Sequence, residues 1–488
     1  MSTRNNAPVL IISLVATLAL LGGGGWWLAK QIGIGFVSTT SSTTPNASLP
    51  SSNVSTETNS AQNNPTPGNG TGNSLAGRLS IGDKSLIAET IAPAKQQAIA
   101  SIQAGDYGTA VSQLESYLQQ NRNDPEALIY LNNARIGTQS VPTIAVAVPA
   151  ATAVNSAQEI LRGVAQAQNE INLAGGLNGR PLKVMVVSDD NDPAIASQLA
   201  DSLVQDASVV GVIGHFGSST SLEAAQVYEQ GQLVMISPTS TSVRISEAGS
   251  YIFRTVPSDR FTASALSRHL VNQMGIQNAA LYYNAESDYS QSLKNEFTTA
   301  LYADGGQIVT EGNVTDSGFN ASASIADAIQ RGAEAIVLAT NTATLDQAIQ
   351  LIAANNQRLA VLGGDSLYNP QLLQAGNRLA DGMVVAVPWV LLSNPQASFA
   401  QASRQQWGGD VNWRTAMAYD GAIALADAIR QNPTRNGVQQ ALADPGFRVE
   451  GATGTVQFLP SGDRNQAMQL VTVSPGTRSG YGYDFVPE

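Results

Sequence analysis

From Pro142 onward the chain repeats one pattern: a short, unbroken apolar run, then a longer stretch whose apolar residues recur at helical spacing. Apolar runs of this kind read as strands buried on both faces, and strands joined by helical crossovers pair in parallel. "TIAVAV" (143–148), "LKVMVV" (182–187), "VVGVIG" (209–214) and "LVMIS" (233–237) form one series, the first three followed by alanine-containing amphipathic stretches. "NAALYY" (278–283), "QIVTEG" (307–312), "AIVLAT" (335–340) and "LAVLGG" (359–364) form a second. Two such series predict an α/β protein with two mainly parallel sheets, each flanked by helices. The span Pro142–Glu488 is too long for one core and predicts two lobes.

The segments before Pro142 follow other rules. Ala7–Ala29 is 23 residues without a charge, with Trp26 and Trp27 near one end and Arg4 before it. That length predicts a bilayer-spanning anchor over 1–36, with a cleaved signal peptide as the alternative. Residues 37–78 are mostly Ser, Thr, Asn, Pro and Gly up to Leu75, with Glu57 as the single charge in that part, and predict a flexible linker. Residues 79–138 turn helical: Ala98, Ile99 and Ile102 share one face, Gly105 and Asp106 make a turn, and Ala110, Val111, Leu114 and Leu118 continue at helical spacing before Pro125 opens another helix. The succession resembles a tetratricopeptide repeat with part of a second, and predicts a small helical hairpin acting as spacer or as docking module for a protein partner.

Composition narrows the function. A net charge of -12, from 25 basic and 37 acidic residues, argues against nucleic acid as partner, because phosphates demand a concentrated basic face. Cysteine is absent and histidine occurs twice, so thiol chemistry is excluded and a histidine-rich metal site is not expected. The chain carries no GxSxG elbow, P-loop or HExxH, and no GxGxxG follows a strand. No cofactor, metal or catalytic residue is expected, and the chain reads as a binder rather than an enzyme.

Ligands of open parallel sheets sit beyond the carboxyl ends of the strands. The strand 209–214 ends there in Ser218, Ser219 and Thr220, with Thr220 and Glu223 spaced as a capping box, and the strand 233–237 ends in Thr239, Ser240 and Thr241. A helix start offers unpaired N–H groups and partial positive charge, so two converging hydroxyl-rich strand ends suit an anionic group such as a carboxylate. His215 follows a buried strand and reads as a packed structural residue. In "SDDNDP" (188–193) the neighbouring Asp189, Asp190 and Asp192 read as turn and cap residues rather than metal ligands.

The order and spacing of "GVAQAQNEINLAGGLNGRPLKV", "SDDNDPAIASQLADSLV", "VVGVIGHFGSSTS", "LVMISPTSTS", "YIFRT" and "AMAYDGAIALADAI" resemble the periplasmic binding proteins of the Leu/Ile/Val-binding type, the extracytoplasmic receptors of amino-acid ABC transporters. The resemblance runs from about Pro142 to Pro487. It implies that Ser218 and its neighbour Ser219 hold the ligand carboxylate, that Thr241 helps hold carboxylate and amine, and that Thr239 offers its carbonyl to the amine. It also implies that Tyr289 closes from the second lobe and that Asp365 pairs with the ammonium. The family's glycine-rich segment after the first strand, which often supplies an aromatic, is here the shortened "PAATAVNSAQE". Phe216 and Gly217 then fall at the side-chain end of the pocket, with Trp413 and Arg414 close by, and an inward Arg414 would favour a polar side chain or broad specificity.

The resemblance further implies three crossovers, placing 142–257 with 387–455 in lobe 1 and 258–386 with 456–488 in lobe 2. Capture by lobe closure and delivery to a membrane ABC permease would follow, on the extracytoplasmic face of a bacterial cytoplasmic membrane to which the N-terminal helix anchors the chain. A membrane-anchored sensor signalling to a partner protein, and a binder of amides or urea, are the alternatives.

Overall fold

The computed structural model describes residues 74–488. A short 3-10 turn, Leu75–Arg78, leads into β1 (Leu79–Ser80), and three helices follow: α1 (Pro93–Gln103), α2 (Tyr107–Gln120) and α3 (Pro125–Ile136). The first parallel series is β2 (Thr143–Val148), α4 (Val154–Leu173), β3 (Lys183–Ser188), α5 (Pro193–Gln205), β4 (Val209–Ile213), α6 (Ser218–Gln230), β5 (Met235–Ser237) and β6 (Ile252–Arg254). Its sheet has the order β1-β3-β2-β4-β5-β6, parallel throughout except for β1, which runs antiparallel to β3. Every residue of β2 and β4 is buried; helices cover both faces, which is why these strands read as continuous rather than alternating apolar runs.

The second series is α7 (Asp259–Arg268), β7 (Asn278–Tyr283), α8 (Asp288–Ala303), β8 (Gln307–Asn313), α9 (Ala321–Gln330), β9 (Ala335–Ala339), α10 (Leu345–Asn355), β10 (Ala360–Gly363), α11 (Pro370–Gly376) and β11 (Val384–Val387). The chain then runs through α12 (Ser398–Trp407), α13 (Trp413–Gln431) and α14 (Arg435–Ala443), a hairpin of β12 (Val449–Gly451) and β13 (Gly454–Val456), and finally β14 (Gln469–Pro475) and β15 (Tyr483–Pro487). The second sheet has the order β15-β14-β11-β10-β9-β7-β8, with β14 and β15 antiparallel additions at one edge. Helix α13 returns to the first lobe, crossing α4 so closely that a Cβ on Gly163 would lie 2.2 Å from the Thr415 carbonyl oxygen. The architecture is a two-lobed α/β fold with mixed, mainly parallel sheets.

Three expectations about the N-terminal third need correction or fall outside the description. The anchor segment Ala7–Ala29 lies outside the described residues. Among the described residues no helix is long and apolar enough to cross a membrane; the 20-residue α4 carries Glu159, Arg162 and Glu170, and the 19-residue α13 carries Arg414, Asp420, Asp427 and Arg430. The expected anchoring on the membrane is corrected accordingly: no helix among the described residues supplies it. Of the linker 37–78, the part up to 73 is likewise outside the description, but its last residues are ordered into the fold: Arg78 pairs with Asp190 at 2.7 Å.

The helical segment 79–138 is not a free hairpin, and nothing supports its tetratricopeptide likeness. Every residue of α3 except Arg135 is buried, because its second side is sealed against α4 and β3 instead of leaving a groove. The Asn133 side chain donates to the Val184 carbonyl (2.7 Å), and its Oδ1 accepts from Val184 N (3.2 Å) and Gln168 Nε2 (2.9 Å). With β1 paired alongside, the edge that β3 would otherwise expose is covered.

Candidate functional site

The carboxyl ends of β4 and β5 carry the hydroxyl clusters, and much of that polarity serves the scaffold. After β4 the chain leaves the sheet through His215, whose side chain is fully buried. Its Nδ1 meets Asp189 Oδ2 at 2.6 Å and its Nε2 meets the Tyr228 hydroxyl at 3.0 Å. The His215 carbonyl would be stranded by this turn, and it accepts instead from Ser221 Oγ (3.1 Å), Ser237 Oγ (3.0 Å) and Ser240 Oγ (3.3 Å). Thr239 Oγ1 donates to the Phe216 carbonyl at 2.8 Å. The three aspartates of 188–193 diverge: Asp189 holds His215, Asp190 holds Arg78, and Asp192 caps α5 through Ala194 N and Ile195 N.

Helix α6 begins at Ser218 with Gly217 as its N-cap, and Gly217 offers no side-chain cap. The capping box expected from Thr220 and Glu223 is not formed, because Thr220 sits inside the first turn and its Oγ1 donates to Asn191 Oδ1 at 3.0 Å. The amides of the first turn, Ser218, Ser219 and Thr220, are thus left without a capping side chain. Ser218 Oγ accepts from Ser242 N at 3.3 Å, and Ser219 Oγ accepts from Asp288 N of the opposite lobe at 3.1 Å.

The second lobe contributes Tyr289, from the first turn of α8, and Asp365, on the short turn that follows β10. The Tyr289 hydroxyl lies 3.4 Å from Ser366 Oγ. Gly364 gives it room, since a Cβ there would stand 2.4 Å from that hydroxyl oxygen. Asp365 is buried, and its Oδ2 falls short of hydrogen-bonding geometry with any group, the nearby Tyr289 hydroxyl included. Burial pushes its carboxyl up to about 7, helped by the charge of Asp259 and opposed by Arg414. Asp259, wholly buried at the start of α7, is itself pushed up to about 6, chiefly by burial. The Thr241 hydroxyl lies beside Asp259 but falls short of hydrogen-bonding geometry with it.

Trp413 and Arg414 open α13, where Asn412 caps the helix by accepting from Arg414 N. The Arg414 guanidinium is turned inward. It donates through Nη1 to the Tyr368 carbonyl (3.2 Å) and through Nη2 to the Asp365 carbonyl (3.4 Å), bridging the lobes.

These groups surround one interlobe cavity of about 200 Å³. Phe216, Gly217, Ser218, Ser219, Thr239, Tyr289, Asp365, Trp413 and Arg414 all line it. Thr241 does not; it is fully buried behind the wall. Sequence reasoning missed Asn191, Glu286, Asn341 and Ser366, which also line it; each follows a strand of one of the two sheets, which is the signal that could have found them.

Two sheet-based lobes that close on a polar cavity beyond their strand ends define a solute-binding protein. The chain belongs to the periplasmic binding protein family, whose profile, described as "Periplasmic binding protein", matches residues 143–478. The helical segment 79–138 lies outside that match. Membership of this family makes the chain a non-catalytic binding protein. The chain is 31% identical over 137 residues to an amino acid binding protein of Pseudomonas aeruginosa, covering 28% of this chain and 36% of that one. It is 26% identical over 227 residues to a leucine-specific-binding protein of Salmonella typhimurium, covering 46% of this chain and 61% of that one. The chain thus spans less than two thirds of either relative. An ABC transporter substrate-binding protein from Desulfitobacterium hafniense, solved in complex with Leu, superposes with a TM-score of 0.60 at 26% identity, over 71% of this chain and 99% of that one.

Proposed function

We propose that the protein is an extracytoplasmic receptor that captures an amino acid between its lobes and delivers it to an ABC permease. The observation that carries this reading is a charge complement in one cavity, lined both by an uncapped helix start at Ser218–Thr220 and by the buried Asp365, whose Oδ2 has no hydrogen-bond partner. Burying a zwitterion is unfavourable unless both ends are matched, and these two groups match an α-carboxylate and an α-ammonium. In this reading Ser218 and Ser219 bind the carboxylate, the Thr239 carbonyl and Asp365 take the ammonium, and Tyr289 covers the ligand backbone; Thr241, buried behind the wall, is left without the ligand contact expected of it. The relatives named for amino acids support it.

Lobe 1 then comprises 142–257 with 387–464, and lobe 2 comprises 258–386 with 465–488; the expected break at 455/456 would split the β12–β13 hairpin, and Asp463 and Arg464 pair with Arg254 and Asp420 of lobe 1. A ligand touching Ser218 in one lobe and Asp365 in the other selects the closed arrangement from an open–closed equilibrium. Calorimetric titration of the full chain, unfolded and refolded to strip any carried ligand, tests the reading against the common L-amino acids, with urea and acetamide as contrasts. Saturable binding of an amino acid that weakens at least about tenfold in Ser218→Ala and Asp365→Ala supports it. A folded protein that binds no amino acid refutes it.

A further inference from the structure

Three buried polar atoms on cavity-lining side chains lack partners, and two of them belong to adjacent, stacked side chains. Trp413 Nε1 and Arg414 Nε are donors without an acceptor, on residues 1% and 4% exposed. The Arg414 guanidinium carbon lies 4.3 Å from the centroid of the Trp413 ring, so the two side chains are stacked at this end of the cavity. The remaining Arg414 nitrogens are committed to the Tyr368 and Asp365 carbonyls, which holds the guanidinium in place. The third atom, Asp365 Oδ2, is an acceptor and belongs to the ammonium in the reading above.

A buried donor that has lost water and found no acceptor is destabilising, and a ligand that supplies the acceptor recovers that free energy. An aliphatic side chain entering this end would leave both donors unsatisfied. A site built to hydrogen-bond its ligand rejects an analogue lacking the bonding group far more strongly than an apolar pocket rejects a methylene.

We infer that the ligand is an α-amino acid whose side chain ends in an oxygen acceptor, a carboxamide or a carboxylate, received by Trp413 Nε1 and Arg414 Nε. The inference rests on the amino-acid reading of the cavity. Both acceptor classes meet the same two donors. They differ in charge: Asp365 and Glu159 already act on Arg414 and Glu286 lines the cavity, so the neutral carboxamide meets less repulsion.

The experiment is titration of the full chain with L-glutamine, L-asparagine, L-glutamate and L-aspartate against L-leucine, L-isoleucine and L-valine, repeated on Trp413→Phe and Arg414→Lys. At least one acceptor-bearing amino acid is expected to bind about tenfold or more tighter than every aliphatic one. Trp413→Phe, which keeps a ring and deletes the N–H, is expected to shrink that ratio, and Arg414→Lys serves where the first variant fails to fold. The amide and acid arms distinguish carboxamide from carboxylate. Aliphatic amino acids binding as tightly as the others, or a ratio unchanged in a folded variant, overturns the inference while leaving the amino-acid reading intact. Binding of no amino acid at all overturns both.

Discussion

Replacing Asp365 by asparagine is expected to move stability and affinity in opposite directions. The side chain is 3% exposed, and its carboxyl is raised from 3.8 to about 7 by burial and then by the neighbouring Asp259 charge. A carboxyl whose folded pKa is raised holds its proton more tightly in the folded chain than in the unfolded one. The folded state therefore loses stability as pH climbs between those two values, and the loss is complete above the folded pKa. Roughly three pH units at about 1.4 kcal/mol each set the penalty on the order of 4 kcal/mol as an upper figure. Asparagine has nearly the same shape and no charge, so ligand-free Asp365→Asn is expected to be more stable than the parent by about 1–4 kcal/mol at pH 8 and to lose that advantage near pH 4. Amino-acid affinity moves the other way, because a buried ammonium deprived of its counter-charge costs about 2–5 kcal/mol. Chemical denaturation at pH 4, 6 and 8, with and without ligand, reads both effects. A variant less stable than the parent at pH 8 without ligand would show that the carboxylate is held by internal partners, and unchanged affinity would remove Asp365 as the ammonium's partner.

Three further perturbations test other parts of the structure. If an ammonium pairs with Asp365, binding below pH 7 must release a proton, so affinity is expected to weaken by up to about tenfold per pH unit on acidification; titration in two buffers of different ionisation heat reads the proton directly. Gly163→Ala would place a Cβ 2.2 Å from the Thr415 carbonyl oxygen and 2.6 Å from Tyr419 N. Both are backbone atoms, so α4 and α13 must part at about 3 kcal/mol or more, seen as a lower denaturant midpoint. Asn133→Ala strips the side-chain bonds from both polar groups of Val184 and from Gln168, and is expected to destabilise the fold on the order of 3 kcal/mol, whereas a loosely attached hairpin would show no change in the main unfolding transition.

The two parallel series were legible because strands covered on both faces leave unbroken apolar runs such as "TIAVAV" and "AIVLAT". Strands β6 and β11 were not among the runs read as strands, being only "IFR" and "VVAV", too brief to stand out beside their loops. Strands β14 and β15 escaped because each is part-exposed and pairs antiparallel, outside the βαβ rhythm. The helices of 79–138 were legible from their spacing, but their attachment was not. The hint lay in "LNNARI": two asparagines inside an otherwise apolar helix make sense only if something meets them, and Asn133 meets the backbone of β3 and the side chain of Gln168.

The candidate site divides on the same question of which polar atoms are already satisfied. Sequence could place Ser218, Ser219, Thr220, Thr239, Ser240 and Thr241 at strand ends, and a strand end is where a ligand would be sought. It could not show that Ser221, Ser237 and Ser240 close on the His215 carbonyl, since that depends on how the chain turns after β4. Nor could it show that Gly217, and not Thr220 with Glu223, begins helix α6, so that the first-turn amides are left for a ligand. Trp413 and Arg414 are the inverse case. As residues opening a helix they would ordinarily face solvent, yet crossing between the lobes buries both and leaves Nε1 and Nε without acceptors. Buried donors are nearly always paired, so the unpaired ones at this end of the cavity constrain a ligand's side chain more than the many hydroxyls, most of which already serve the scaffold.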